Sequence, residues 1–235
     1  MQITTSAPDA LSSPIQLDWA NIDTVLLDMD GTLLDLNYDN HVWNEVVPEA
    51  YATLKNISLQ DAQTALFEHM KVIKGSIEFY SFDYWDAYTG LNLVELHRRM
   101  VDLVAYRPGA LEFLRWLRAQ NKFVAIATNA HPSSIMVKEE RIPISQEVDA
   151  VASSATLQAP KEAQDYWHEL NKIHPFNPER TLFVDDNEPV LAAAQAYGIR
   201  HLLCIHTPDS ERPTRTGLGY PAFDHFSEIS EIDAT

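Results

Sequence analysis

Two pairs of aspartates stand where acids are least expected, at the ends of apolar runs. Asp28 and Asp30 follow Val25, Leu26 and Leu27 in "TVLLDMDGTLLD", residues 24–35, and Asp185 with Asp186 closes "RTLFVDD", residues 180–186. Extended backbone sends alternate side chains to one side, so Asp28 and Asp30 share a site at a strand end. Carboxylates that close raise the pKa of one partner unless a cation intervenes. The pair therefore suits a shared proton or a hard metal such as Mg²⁺, whose oxygen shell Asp185 and Asp186 can complete.

The elements that must position these acids follow from the pattern around them. "KFVAIATN" (122–129), "AVASS" (150–154), "RTLFVDD" and "HLLCIH" (201–206) repeat the design of the opening strand, a short apolar run closing on polar residues. Helical patterns lie between them: "GALEFLRWLRAQN" from Gly109, "KEAQDYWHELNKI" from Lys161, and "EPVLAAAQAYG" from Glu188, which ends on Gly198. Strand and helix in alternation predict a Rossmann-like α/β fold, three α/β/α layers around a parallel sheet, with ligands beyond the carboxyl ends of the strands. Asp28, Asp30, Thr128, Ser153, Asp185 and Asp186 fall at those ends. Lys161, after Pro160 at an expected helix start, adds an ammonium where backbone N–H groups favour an anion.

Between residues 37 and 105 the alternation stops, and helix-like segments such as "LQDAQTALFEHMKVI" replace it. The expected organisation is a flexible leader over 1–20, a catalytic core over 21–36 and 106–210, a helical insertion over 37–105, and a C-terminal surface tail over 211–235. The insertion carries Phe79, Tyr80, Phe82, Tyr84, Trp85 and Tyr88 in one short stretch. Most of these rings are expected to form the insertion's own core, with one or two left to stack on a ligand base.

Composition narrows the partners. The 235-residue chain is 46% hydrophobic, enough for a substantial core, and its net charge of −17 argues against nucleic acid or an anionic membrane as a partner. An anionic small substrate must instead meet a local positive site, a metal or oriented N–H groups. The single Cys204 precludes an intramolecular disulfide. With no secretory pattern at the N-terminus and no apolar run of bilayer length, the expectation is a cytoplasmic protein.

Taken in order, "DMDGTLLD", "AIATN", "APKE" and "LFVDDNE" resemble the four signatures of the haloacid dehalogenase superfamily of phosphatases. Alone, Asp-Gly-Thr is usually a turn, Lys161 a solvated helix end, and Asp185 or Asp186 a helix cap. Four matches in order are far more specific. The resemblance implies Asp28 as nucleophile and Asp30 as general acid and then base. It implies Mg²⁺ held by Asp28, the Asp30 carbonyl, Asp186 and Asp185, and phosphoryl oxygens bound by Thr128, Asn129 and Lys161. It makes the insertion a helical cap. Asp30 favours phosphoryl chemistry, because the dehalogenases lack that second acid.

Two departures stand beside it. Val190 and Leu191 occupy places where many relatives carry a further acid, and Gln158, Ala159 and Pro160 precede Lys161 without the common glycine. The wider match, including "TNAHP" and "ERTLFVDDNE", resembles superfamily 5′-nucleotidases acting on GMP and IMP, and implies a purine nucleoside monophosphate as substrate. Within "TNAHP", His131 is about as readily structural as anion-binding. A sugar-phosphate phosphatase, a phosphomutase and a non-enzymatic metal- or phosphate-binding regulator are the alternatives, and the oligomeric state is left open.

Overall fold

The computed structural model describes residues 15–231. Its first strand, β1 (Thr24–Leu27), is followed by α1 (Asn37–His41), a π-helical turn (Val42–Val46), α2 (Val47–Lys55), α3 (Leu59–Ile73), α4 (Ile77–Tyr80), α5 (Phe82–Thr89) and α6 (Leu93–Arg99). Then come α7 (Ala110–Ala119), β2 (Phe123–Thr128), α8 (Pro132–Glu139), β3 (Ala150–Ser153), α9 (Ser154–Leu157) and α10 (Gln164–Ile173). The chain continues through β4 (Thr181–Asp185), α11 (Glu188–Tyr197), β5 (His201–Ile205) and β6 (Ala222–Phe223).

All six strands are parallel, in the order β3-β2-β1-β4-β5-β6. The order reverses direction at β1, so the crevice beyond its carboxyl end is the place where such sheets take ligands. Period-two alternation divides the sheet's side chains between two helical layers. Val25, Leu27, Val124, Ile126, Leu182 and Val184 meet Phe113, Leu114 and Leu117 of α7 on one face. Leu26, Ala125, Phe183 and Cys204 meet Tyr166, Trp167 and Leu170 of α10 and Val190, Leu191 and Ala194 of α11 on the other. The expected three-layer α/β/α architecture is therefore the observed one, with a helical segment between β1 and β2. No helix among the described residues is long and apolar enough to cross a membrane.

The π turn between α1 and α2 has a local cause. Pro48 has no N–H to return to the Asn44 carbonyl, and Gln63 Nε2 of α3 reaches that oxygen instead, at 3.5 Å. Such widened turns concentrate at functional sites, and this one turns Trp43 and Asn44 toward the sheet edge.

Three expectations are corrected. The leader reading for 1–14 lies outside the described residues, but 15–20 is packed: Ile15, Leu17 and Trp19 lie against the core, and Trp19 Nε1 donates to Ile229 O at 2.9 Å. The segment 211–235 is no surface tail where it is described. It adds β6 to the sheet and buries Phe223, Phe226 and Ile229, because β5 would otherwise be a bare apolar edge. Finally, α10 starts at Gln164 and not at Lys161, which leaves Lys161 in a turn ahead of the helix. Trp167 Nε1 holds that turn by donating to Lys161 O at 2.9 Å.

Candidate active site

Beyond the carboxyl ends of β1, β2 and β4 lies a cavity of about 360 Å³. Its floor includes Asp28, Asp30, Thr128, Asn129, Lys161, Asp185 and Asp186, and its roof comes from the helical segment, with Trp43, Met70, Phe79, Tyr80, Phe82 and His97. Every candidate site residue read from the sequence lies on this one wall. Parallel register is the reason: Leu27 pairs with Ile126 and with Val184, so three neighbouring strands run out together.

Asp28, Asp185 and Asp186 each bring a carboxylate oxygen within 4.8 Å of the others. Burial raises all three acids, Asp28 and Asp186 to about 7 and Asp185 to about 6. Repulsion from Asp185 and Asp30 adds to the effect at Asp28, while Lys161 opposes it. Three hard oxygen donors crowded at the cost of their own ionisation are a donor set that fits Mg²⁺. The two members of the second pair differ. Asp185 is engaged through both oxygens, by Lys161 Nζ at 2.7 Å and Asn187 N at 2.8 Å, whereas Arg215 binds Asp186 through its main-chain carbonyl at 2.8 Å. Gly31 makes room for the Asp186 carboxylate: at φ +87°, a Cβ there would lie 2.9 Å from Asp186 Cγ.

Lys161 is buried and its ammonium donates to Asp28 Oδ1, to Asp185 Oδ2 and, at 3.0 Å, to Ala127 O. Its pKa is raised by these anions against the cost of burial. The Asn129 side chain organises the same loop, with Oδ1 accepting from Lys161 N at 2.9 Å and Nδ2 donating to Glu162 at 3.1 Å. Thr128 Oγ1 accepts from Ala130 N at 3.0 Å. His131 caps α8, its Nδ1 accepting from Ser133 N at 3.3 Å, and it also reaches the cavity wall.

Asp30 parts from Asp28. Its carboxylate turns to Lys138 of α8, 2.7 Å from Oδ1, and lies outside the cluster formed by Asp28, Asp185 and Asp186. Lys138, Asp39 and Glu162 were not found by reasoning from sequence. Lys138 and Asp39 carry no strand-end signal. Glu162 does adjoin Lys161, the one cue available, and it accepts from Tyr80 Oη of the helical segment at 2.8 Å. Of the aromatic run, Trp85 is fully buried and Phe79, Tyr80 and Phe82 reach the cavity, while Tyr84 and Tyr88 stack with His69. His97, sequestered in the roof, has its pKa pushed down to about 3 by burial, with Lys138 adding to the effect.

An α/β sheet whose central strand ends on two aspartates, one of them in a three-carboxylate cluster fit for a cation beside a buried lysine, is the core of the haloacid dehalogenase-like hydrolases. Residues 22–198 match that family, and the chain belongs to it. Among curated proteins, it is 34% identical over 215 residues to the GMP/IMP nucleotidase YrfG of Escherichia coli, covering 92% of this chain and 97% of that one. Solved structures agree on the fold. The HAD phosphatase from Thermococcus onnurineus superposes with a TM-score of 0.73 at 17% identity, over 88% of this chain and 95% of that one. The HAD-hydrolase YfnB from Bacillus subtilis, solved with bound magnesium, gives 0.60 at 17% identity, over 88% and 96%.

Proposed function

We propose that this hydrolase is a Mg²⁺-dependent phosphomonoesterase that works through an aspartyl-phosphate on Asp28, with purine nucleoside monophosphates as substrates. The observation that carries the chemistry is the convergence of Asp28, Asp185, Asp186 and Lys161 at the ends of β1 and β4, with Asp30 beside them. When bound by Asp28, the Asp30 carbonyl, Asp185 and Asp186, Mg²⁺ supplies positive charge that offsets repulsion between the nucleophile and the phosphate.

In the first half-reaction an Asp28 oxygen forms a bond to phosphorus as the ester P–O bond breaks. Asp30, as the carboxylic acid, gives its proton to the departing alkoxide. In the second, water attacks phosphorus, the Asp28–phosphorus bond breaks, and Asp30 takes the water's proton, which restores both acids and releases inorganic phosphate. Lys161, with Thr128 and the Asn129 N–H, holds the transferring oxygens. An incoming phosphoryl group gives the Lys161 ammonium further partners beside Asp28 and Asp185.

Two things support the substrate class: the 34% identity to a GMP/IMP nucleotidase over nearly the whole chain, and the aromatic wall of Trp43, Phe79, Tyr80 and Phe82. Flat apolar rings stack well on bases. A phosphate-release screen with Mg²⁺ over GMP, IMP, AMP, pyrimidine monophosphates and small sugar phosphates tests this. IMP and GMP are expected to lead. A wide preference for sugar phosphates sinks the nucleotide assignment, and an isomerised sugar phosphate in place of free phosphate identifies a mutase.

A further inference from the structure

The ammonium of Lys138 is almost wholly buried in α8, yet Lys138 does not line the cavity, and nothing in the reaction above uses it. Lys138 Nζ donates to both carboxylate oxygens of Asp39 of α1, at 2.7 Å to Oδ1 and 2.9 Å to Oδ2, and stands 2.7 Å from Asp30 Oδ1 as an ion pair. A lysine sequestered this completely is costly unless its partners compensate it, so two carboxylates on one ammonium is an arrangement to be explained.

We infer that Lys138 is a positioning residue for Asp30: it stands against one carboxyl oxygen so that the other faces the ester oxygen, while Asp39 holds the ammonium in place. This deepens the proposed phosphomonoesterase reading and rests on it. The geometry favours it in two respects. A neutral carboxyl group still has an acceptor oxygen, so the contact at Oδ1 orients Asp30 both before and after it gives up its proton. Asp39 holds the ammonium through both of its own oxygens and so fixes where the contact with Asp30 falls. Because Asp39 belongs to the first helix after β1, the alignment of the acid also depends on how the helical segment sits over the sheet.

The test is the dependence of the first half-reaction on the leaving group. Lys138→Met is compared with wild type by kcat/KM, with Mg²⁺, on IMP or the alkyl phosphate that the screen ranks first, and on p-nitrophenyl phosphate. The alkyl ester needs its departing oxygen protonated and the nitrophenyl ester does not; kcat/KM stops at the formation of the aspartyl-phosphate, so the later base step does not enter. Lys138→Met should lose about 100-fold on the alkyl ester, the lower end of what an acid contributes. On the nitrophenyl ester it should lose less than tenfold. Asp30→Asn should show the same split in larger measure, and Asp39→Asn the same split in smaller measure, which carries the test if Lys138→Met does not fold. Equal losses on both esters, or none on either, overturn the inference while the phosphatase reading survives. A wild type that releases phosphate from neither ester removes both.

Discussion

Two buried lysines stand on either side of the acidic pair, each shared between two carboxylates. Lys161 draws in Asp28 and Asp185, and Lys138 draws in Asp30 and Asp39. The first cluster is made from strand ends and the turn before α10, all within the sheet's own layer. The second joins α8 to the first helix of the inserted segment. The chemical difference follows from this. Around Lys161 a third acid, Asp186, completes a donor set that a divalent cation can enter. Around Lys138 the charges already balance more closely, with no third carboxylate in the group. On the proposed function, the first cluster takes up metal and phosphate while the second keeps its partners.

Replacing the nucleophile probes the first cluster most severely. Asp28→Asn should abolish phosphate release while leaving the circular dichroism spectrum native, and retained turnover would remove Asp28 from its role. Next come the lysines. Lys161→Met and Lys138→Met each strand buried carboxylates, and each should lower stability by about 3–5 kcal/mol in metal-free urea titrations. Millimolar Mg²⁺ should restore much of the loss in Lys161→Met and little in Lys138→Met. Equal rescue of both would erase the distinction between the clusters.

The pH dependence of metal binding sharpens the same contrast. Asp28 and Asp186 at about 7 and Asp185 at about 6 lie above the ordinary value of 3.8, so between those limits the folded protein holds protons that the unfolded chain has released. Stability from this cluster is therefore full below the ordinary value and is lost as pH rises through about 7. Mg²⁺ competes with those protons, and the rise in Tm it produces should be greater near pH 8 (about one unit above the highest of them) than near pH 5.5 (about half a unit below the lowest). A pH-independent rise would mean that the metal binds elsewhere. The smallest effect belongs to the contact between the inserted segment and the sheet. Tyr80→Phe removes the hydrogen bond to Glu162 and should cost about 1 kcal/mol, read by urea unfolding, with the cation cluster untouched.

The legibility of the two clusters was unequal, for a physical reason. Asp28, Thr128 and Asp185 each end or follow an apolar strand, and the period of that pattern announces both the strand and its edge. Lys138 and Asp39 lie on helices, at positions where a charged residue is unremarkable, and only the tertiary fold brings the two together. The C-terminal segment misled for a related reason. A two-residue strand is too short to have a period, and its prolines and acids read as surface, yet Phe223 and Phe226 complete the core beside α7.

Sequence alone determined the parallel α/β sheet, the helical insertion after β1, the acids at the strand ends and the identity of the family, because each is written in local periodicity or in the order of short motifs. Tertiary structure alone decided which partner each acid keeps. Asp28 and Asp30 are two residues apart and were expected to share one site, but one faces the sheet's lysine and the other a helix's. Side-chain spacing sets the direction in which a carboxylate leaves the backbone. Which cation waits there depends on elements more than a hundred residues away, brought close only when the layers pack.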